Sequence, residues 1–572
     1  MNTRTLLLML LAFLGFMIYI EWQSDYVNTT PQPVEPLPGD RQAAAGDTDD
    51  DSAALPDFPP VRDSDQADRP TGDVPQAQVP ISEVRSDQRI EVETDRLVAF
   101  IDPKGGSLVE LRLKDFPVSV DEPDQPFVLL SEELLGFHIA QAGLIDSERR
   151  APNHTTTYEY ERDYYELAPN AQTLDVPLTW RNEDGLEVTQ TWVFHRDDYV
   201  IEHRFQVLNG GDQPWEGIRY LQLQRSPSGG SSGMTFTNPE RISFNGAAVY
   251  SPEDKFEKLK FSDFEDEPYR KSFDGGWAGM VEHYFLSAWI PPTDAVHTYT
   301  TRVVEQQQAP QRYALTATSD PVALSPGQDW VFESELFVGP KEQNMLDAVA
   351  PGLSLTVDYG IFTIFSKPLF WALDHIHTFV RNWGLAIILL TLLIKLAFYK
   401  LTQAQFRSMG KLRKLQPRIA QLKERYGDDR QKFGQAMMEI YKKEKVNPLG
   451  GCLPLLVQIP IFIALYWVLL ESVELRQASF LWIPDLSKPD PLFILPVFNG
   501  IFMIITQRLT PAAGMDPMQR KIMQFLPVAF AVLFAFFPAG LVLYWASNSG
   551  ISLLQQWYIL RQIDAEDARA RA

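Results

Sequence analysis

Between Trp383 and Tyr399 the chain reads WGLAIILLTLLIKLAFY, an almost unbroken apolar run that carries one lysine, Lys395, near its far end. At about 1.5 Å per helical residue, such a run crosses most of a bilayer's roughly 30 Å hydrocarbon core. A charge there needs a reason. On insertion scales a central Lys is unfavourable by about 2.5 to 3.5 kcal/mol, so it usually faces a partner, a water-filled cavity or the interface.

Further apolar stretches place this run in a larger pattern. The N-terminus has Arg4, then Leu6 to Ile20, then Glu21 and Trp22, with no small-residue cleavage site after Ile20. Residues 1–22 therefore read as an uncleaved signal anchor rather than a removed signal peptide. Beyond the first run, spans are expected at about 383–399, 449–470, 492–506, 522–537 and 541–559, six with the anchor. Phe537-Pro538-Ala539-Gly540 separates the last two and suits a tight helical turn at the membrane face. The segment Lys400 to Asn447 carries thirteen Lys or Arg against five acids, a balance of +8 in a chain of net −23. By the positive-inside rule this loop is cytoplasmic. Counting outward from it puts both termini, including the tail 563–572, in the cytoplasm and the long segment from about Glu21 to Leu353 outside. The acidic excess then falls largely on that exported part, whose surface repels nucleic acid and anionic headgroups. The single cysteine, Cys452, leaves no internal disulfide to hold it and reads as an inert packing thiol.

Residues 23–80 are rich in Pro, Asp, Ala and Gln and read as a disordered acidic linker. From Ile81 the pattern turns to period two: Ile90 and Val92; Leu97, Ala99 and Ile101; a turn at Asp102 to Gly106; then Leu111 and Leu113. The alternation returns in Leu186, Val188, Gln190, Trp192 and Phe194, and in Ile201, His203, Phe205 and Val207. Repeated over 81–353, this predicts a large antiparallel β-sandwich. The aromatic stretch within 354–382 fits an amphipathic helix lying in the outer interface, with a buried helix of the β-domain as the alternative. In 400–447, Phe406, Met409, Leu412, Leu415, Ile419, Leu422 and Tyr426, and later Phe433, Met437, Ile440 and Tyr441, recur at spacings of three or four. They predict two antiparallel amphipathic helices, the second ended by Asn447-Pro448.

Signatures of enzymatic chemistry are scarce. Neither HExxH, nor a P-loop, nor CxxC occurs, and the formal GxSxG match at Gly229 to Gly233 lacks the strand and helix a nucleophile elbow requires. His375 and His377, two apart on a helix, point in different directions, which favours packing over metal ligation. Spacing leaves Lys395 two readings. It lies five residues before Lys400, so its stem could snorkel to the cytoplasmic interface. Alternatively it faces a wet recess shared with Thr391, one helical turn earlier, and with Gln458, Gln507 and Asn548 on other spans, since polar groups at membrane depth must face protein or water.

The run Lys445 to Pro454 (KVNPLGGCLP), the following Gln458-Ile459-Pro460-Ile461-Phe462, Ser472 to Ala478 (SVELRQA) and Phe537 to Trp545 (FPAGLVLYW) closely resemble the Oxa/YidC/Alb family of membrane protein insertases. The resemblance covers about 355–562, and the exported β-domain resembles the periplasmic domain of Gram-negative members. It implies an inner-membrane protein whose five-helix core, 383–562, encloses a hydrophilic groove open to cytoplasm and lipid and closed to the periplasm. The family's usual Arg in the first core helix corresponds to Lys395, and Lys400 stands where proline is common. Apolar substrate segments would slide along Ile459, Phe462, Leu541, Tyr544 and Trp545. Lys411, Arg413, Lys414 and Arg418 would form a cytoplasmic capture arm. The implied partners are nascent membrane proteins, the Sec translocon, the ribosome and signal-recognition targeting factors, and the lipid bilayer, with no specific nucleic-acid sequence, metal or cofactor. Two rival readings are a solute transporter, which lacks the expected inverted repeat, and a membrane-anchored sugar-active enzyme of the β-domain.

Overall fold

The computed structural model of the protein describes residues 88–134, 136–148, 150–227, 243–304, 310–426, 429–444, 453–509 and 517–571. The signal anchor and linker, the Gly229 to Gly233 loop and Cys452 with most of its motif lie outside the described residues. The chain divides into two compact units, a β-rich one ending at Val357 and a helical one from Asp358.

The β-unit consists of an eleven-stranded and a nine-stranded sheet. The first runs from Arg270–Asp274 through Val296–Val304, Arg312–Ser319, Trp215–Arg225, His138–Asp146, Ser107–Ser119, Leu97–Asp102 and Ile90–Glu93 to Tyr164–Glu166. The second centres on Phe285–Ile290, Asp329–Pro340, Val200–Asn209 and Leu186–His195. Alternation builds both: Ile90 and Val92, then Leu97, Ala99 and Ile101, are buried while the residues between them are half-buried. The expected Asp102 to Gly106 turn is present, with Gly105 and Gly106 at φ +84° and +58°, values that glycine adopts without strain. The tight turn matters to the core, because the Gly106 carbonyl accepts from both Gln190 Nε2 and Trp192 Nε1 at 3.0 Å. Gln190 Nε2 also lies 3.0 Å from His203 Nε2, which links the two inward polar side chains, while Gln190 Oε1 and His203 Nδ1 are buried without a partner. His138 Nε2 to Ser287 Oγ, 2.7 Å, ties one sheet to the other. One pairing departs from the antiparallel expectation: Ile90–Glu93 runs parallel to Tyr164–Glu166. That three-residue strand is too short for a periodicity to announce it.

Burial shapes the charges here. Loss of water holds His154 and His297 at about 4, below their ordinary range, and also pushes His138 and His203 well below it. Buried Arg219 drops to about 9 for the same reason, its guanidinium donating to the Glu333 carbonyl at 2.7 Å.

In the helical unit we number α1 Thr363–Val380, α2 Trp383–Ala397, α3 Tyr399–Tyr426, α4 Arg430–Lys443, α5 Leu453–Glu471, α6 Ile494–Leu509, α7 Pro517–Phe534 and α8 Ala539–Arg571. The expected hairpin appears as α3 and α4, with Leu415 and Ile419 packed against Phe433, Ile440 and Tyr441. The Asp429 carboxylate caps α4 by accepting from the Gln431 and Lys432 amides. α1 buries Ser366, Phe370 and Leu373 and exposes Ile364, Phe365, Trp371 and Phe379. Its two histidines pack on rings: His375 lies on Trp371 and His377 stacks on Trp383 at 3.9 Å.

The six-span expectation meets a limit of length. Among the described residues no single helix is long and apolar enough to cross a membrane; α2 passes only together with Tyr399–Ser408, across a bend of 64°. The other apolar stretches, Gln458–Glu471, Ile494–Leu509 and Lys521–Phe534, are shorter. At 16 residues α6 rises only about 24 Å, less than a typical hydrocarbon core. α8 instead continues unbroken to Arg571, well past the expected boundary at 559.

Candidate functional site

α2 positions the lysine that the sequence singles out. Asn382 caps it, its side-chain oxygen accepting from the Leu385 amide at 3.0 Å, and Gly384 leaves room for the Phe480 ring. One face of α2, with Ala386, Ile387, Leu390, Thr391 and Lys395, is buried, while Leu392, Leu393 and Leu396 stand exposed on the other. Lys395 is only 6% exposed, so its stem does not run along the leucine-bearing side. Among the described residues its ammonium has no hydrogen bond or ion pair. Thr391 donates to its own helix, to the Ile387 carbonyl at 2.7 Å.

The remaining groove candidates divide among helices. Gln458 Nε2 on α5 donates to Asn548 Oδ1 on α8 at 2.9 Å. One residue further along α8, Ser549 donates to Asn499 Oδ1 on α6 at 2.8 Å. Three helices are thus joined by polar pairs at adjacent positions of α8. Gln507 is apart from them, its amide donating to the Met523 carbonyl of α7. At Lys395 the neighbour is Gln555, whose Nε2 reaches the Lys395 carbonyl at 3.4 Å while its own Oε1 is buried without a partner. Gln556, 2% exposed, has an unpartnered Oε1 as well. The sequence expectations omit Asn499, Ser549, Gln555 and Gln556. A signal was available: Asn499 is an isolated amide inside an apolar run, as Asn548 is, and is fully buried.

Of the expected slide residues, Leu541 and Tyr544 are buried inside the unit, Phe462 and Trp545 are half-buried and Ile459 is 42% exposed. Phe462 stacks near Tyr544 and meets Trp545 edge-on at 4.5 Å, and Trp545 continues to Phe534 at 4.8 Å. These rings form an aromatic wall joining α5, α7 and α8.

One end of the bundle is closed by backbone bonding. The Ala539 and Gly540 amides donate to the Lys488 and Leu486 carbonyls at 2.7 and 2.8 Å. Within the same loop Asp490 accepts from Trp482 Nε1 and from the Leu492 and Leu495 amides, and Asp485 accepts from the Gln477 and Ser487 amides. In the hairpin, Lys411, Lys414 and Arg418 are exposed, and Arg418 is paired with Glu444 at 2.6 Å. The side chain of Arg413 lies outside the described residues.

Comparison with known proteins places this architecture. Residues 89–372 match the family model for the YidC periplasmic domain, and residues 375–566 match that for the 60Kd inner membrane protein. The membrane protein insertase YidC of Thioalkalivibrio sulfidiphilus is 46% identical over 98% of this chain and 99% of its own length. The chain belongs to the YidC family of membrane protein insertases. The YidC insertase of Alkalilimnicola ehrlichii is also 46% identical, over 99% of this chain and 97% of its own. A crystal structure titled as an active YidC insertase with its first transmembrane domain resolved overlaps 83% of this chain and 93% of its own, at 18% identity and a TM-score of 0.40. YidC membership thus rests on sequence. It marks the chain as an inner-membrane insertase with a periplasmic β-rich domain and not an enzyme, and neither the transporter nor the sugar-enzyme reading finds support.

Proposed function

We propose that the chain inserts nascent inner-membrane proteins through a polar, cationic recess between α2, α5, α6 and α8 that opens to the cytoplasm. The observation that carries this reading is Lys395, buried in an apolar helix with no counter-charge among the described residues. Burying a lone ammonium in packed protein is expensive, and a fold tolerates it where water or a visiting anion reaches it. Gln555 and Gln556, with buried unpartnered carbonyl oxygens, extend the same logic.

On this reading the chain spans the membrane six times with both termini cytoplasmic, the anchor and α2, α5, α6, α7 and the first part of α8 being the spans. A substrate's polar tail must cross a barrier in which each unsatisfied polar group costs several kcal/mol. Lys395 would draw acidic residues of that tail, while Gln458, Asn548, Asn499 and Ser549 exchange their mutual hydrogen bonds for bonds to the passing chain. Apolar substrate segments leave along Ile459 and Phe462 toward lipid, with Leu541, Tyr544 and Trp545 as the wall behind them. Gln507 serves the α6–α7 contact. The loop around Asp485 and Asp490 seals the periplasmic end. Lys411, Arg413, Lys414 and Arg418 on the hairpin receive the ribosome and targeting factors, and the chain works alone or with the Sec translocon. Transfer of apolar substrate segments into lipid supplies the free energy, without a nucleotide.

Site-directed photo-crosslinking tests this. Probes at Thr391, Gln458 and Tyr544 should capture a stalled nascent membrane protein, while a probe at Leu208 in the β-unit should not. Failure at all three groove positions, with the protein folded and ribosomes engaged, would sink the recess. Depletion should halt insertion of small inner-membrane proteins.

A further inference from the structure

The last helix carries a second interaction surface near its inner third. Its outer end is fixed by the backbone bonds from Ala539 and Gly540 to the 486–488 segment, so depth along α8 can be counted from there. At about 1.5 Å per residue, Trp557 and Tyr558 lie about 27 to 29 Å along and Arg561 about 33 Å, bracketing the roughly 30 Å hydrocarbon thickness. The sequence changes at the same place: Ile559-Leu560 is the last apolar pair and Arg561-Gln562 follows. Leu554, Trp557 and Tyr558 are exposed, at 66%, 49% and 51%. The Arg561 guanidinium lies 4.0 Å from the Trp557 ring centroid and has no ion pair among the described residues. α6 brings a second charge to this depth. It runs alongside α8 in the same direction, in register at the Asn499–Ser549 pair and at Phe502 against Gly550. Nine residues on from Asn499 and Ser549 stand Arg508, exposed, and Tyr558.

We propose that Arg561, held over Trp557, binds the headgroup phosphate of an anionic phospholipid of the inner leaflet, with Arg508 contributing positive potential at the same depth. The proposal rests on the reading of α8 as a membrane span. A guanidinium presents a planar fork that matches phosphate oxygens in pairs. An indole at the interface keeps its ring at headgroup level, and stacking against it holds the guanidinium there rather than out in water. The site is separate from the buried Lys395 recess, since the Trp557–Arg561 side of α8 is exposed while Gln556 points inward.

The test uses the full-length chain in nanodiscs of phosphatidylcholine with a minority of phosphatidylglycerol, and native mass spectrometry to count retained phosphatidylglycerol. Arg561→Gln should lower its apparent affinity about fivefold, the worth of one cation at a membrane surface. Arg561→Lys should retain most of it, and Trp557→Leu should weaken it less than Arg561→Gln. Unchanged retention in both Arg561→Gln and the Arg508→Gln/Arg561→Gln pair overturns the site. A spin label at Leu554→Cys, in a Cys452→Ser background, reports depth independently. Shielding in the acyl-chain region together with unchanged lipid retention rejects the lipid site alone. A label freely in bulk water rejects the membrane reading of α8 and the site with it.

Discussion

The two units of this chain solve opposite problems with the same residue types. In the β-unit, Trp192, Phe205, Trp289 and Phe337 are wholly or almost wholly buried, while outward strand positions include Glu202, Arg204 and Lys114. In the helical unit Leu393, Leu396, Phe525, Val532 and Leu554 face outward, each more than half exposed, while Lys395, Thr391, Asn499 and Gln556 are inside. Burial of apolar surface drives folding only where water is the alternative. The first unit therefore has the distribution expected in water, and the second the distribution expected where hydrocarbon is the solvent and helices associate through packing and hydrogen bonds.

That contrast is sharpest under large-to-small substitution. Trp192→Ala should destabilise the β-unit by about 3 to 5 kcal/mol in urea titration, whereas Leu393→Ala on the outer face of α2 should leave thermal stability of the detergent-solubilised chain nearly unchanged. Equal losses at the two sites would erase the distinction. Acid comes next. His154 and His297 are held at about 4 in the fold, against about 6.5 unfolded, so the unfolded chain takes up protons first as pH falls. Their neutral forms support the fold above pH 6.5, and that support fades toward pH 4. Moving from pH 7 to 5 should cost about 2 kcal/mol per histidine by linkage. His154→Gln or His297→Gln should flatten the pH dependence of β-unit unfolding, and an unaltered slope would exclude these two side chains as its source.

Lys395 offers a test in the reverse direction. Lys395→Met removes a buried charge that has no partner among the described residues and should raise thermal stability by about 1 to 3 kcal/mol, while slowing insertion of substrates with acidic translocated tails. Lys395→Arg should restore insertion. A Met variant both less stable and fully active would make the lysine a structural element. The smallest effect is expected at Asn548→Leu, where loss of the Gln458 hydrogen bond should cost about 0.6 kcal/mol, typical of a bond between membrane helices.

Much of this was readable in the chain. The strands from Ile90 to Ile101 and from Leu186 to Val207 follow an alternation, broken at the buried Val193, because one face of each is packed and the other wetter. The hairpin of α3 and α4 was legible because it carries an amphipathic stripe, with Leu415 and Ile419 buried and Lys411, Lys414 and Arg418 exposed. The apolar helices give weaker signals, since a helix that is apolar all round offers no periodicity to tell which side faces in. That leaves Gln556 without a pattern to single it out and gives no sign that Leu541 and Tyr544 are buried within the unit. The extension of α8 to Arg571 was hidden for a different reason. Its last turns carry no continuous apolar face, and contacts from Arg407 to Glu566 and from Gly410 to Ile563 hold that segment beside α3.

The clasp between Ala539-Gly540 and the 486–488 segment has a mechanical meaning. Backbone bonds hold the start of α8 to the 486–488 segment, while α5, α6 and α8 are joined farther along by single side-chain pairs, the contacts that the proposed substrate path would exchange. On the proposed reading the clasped end is the pivot and the opposite end the place where a substrate is admitted, as with tweezers.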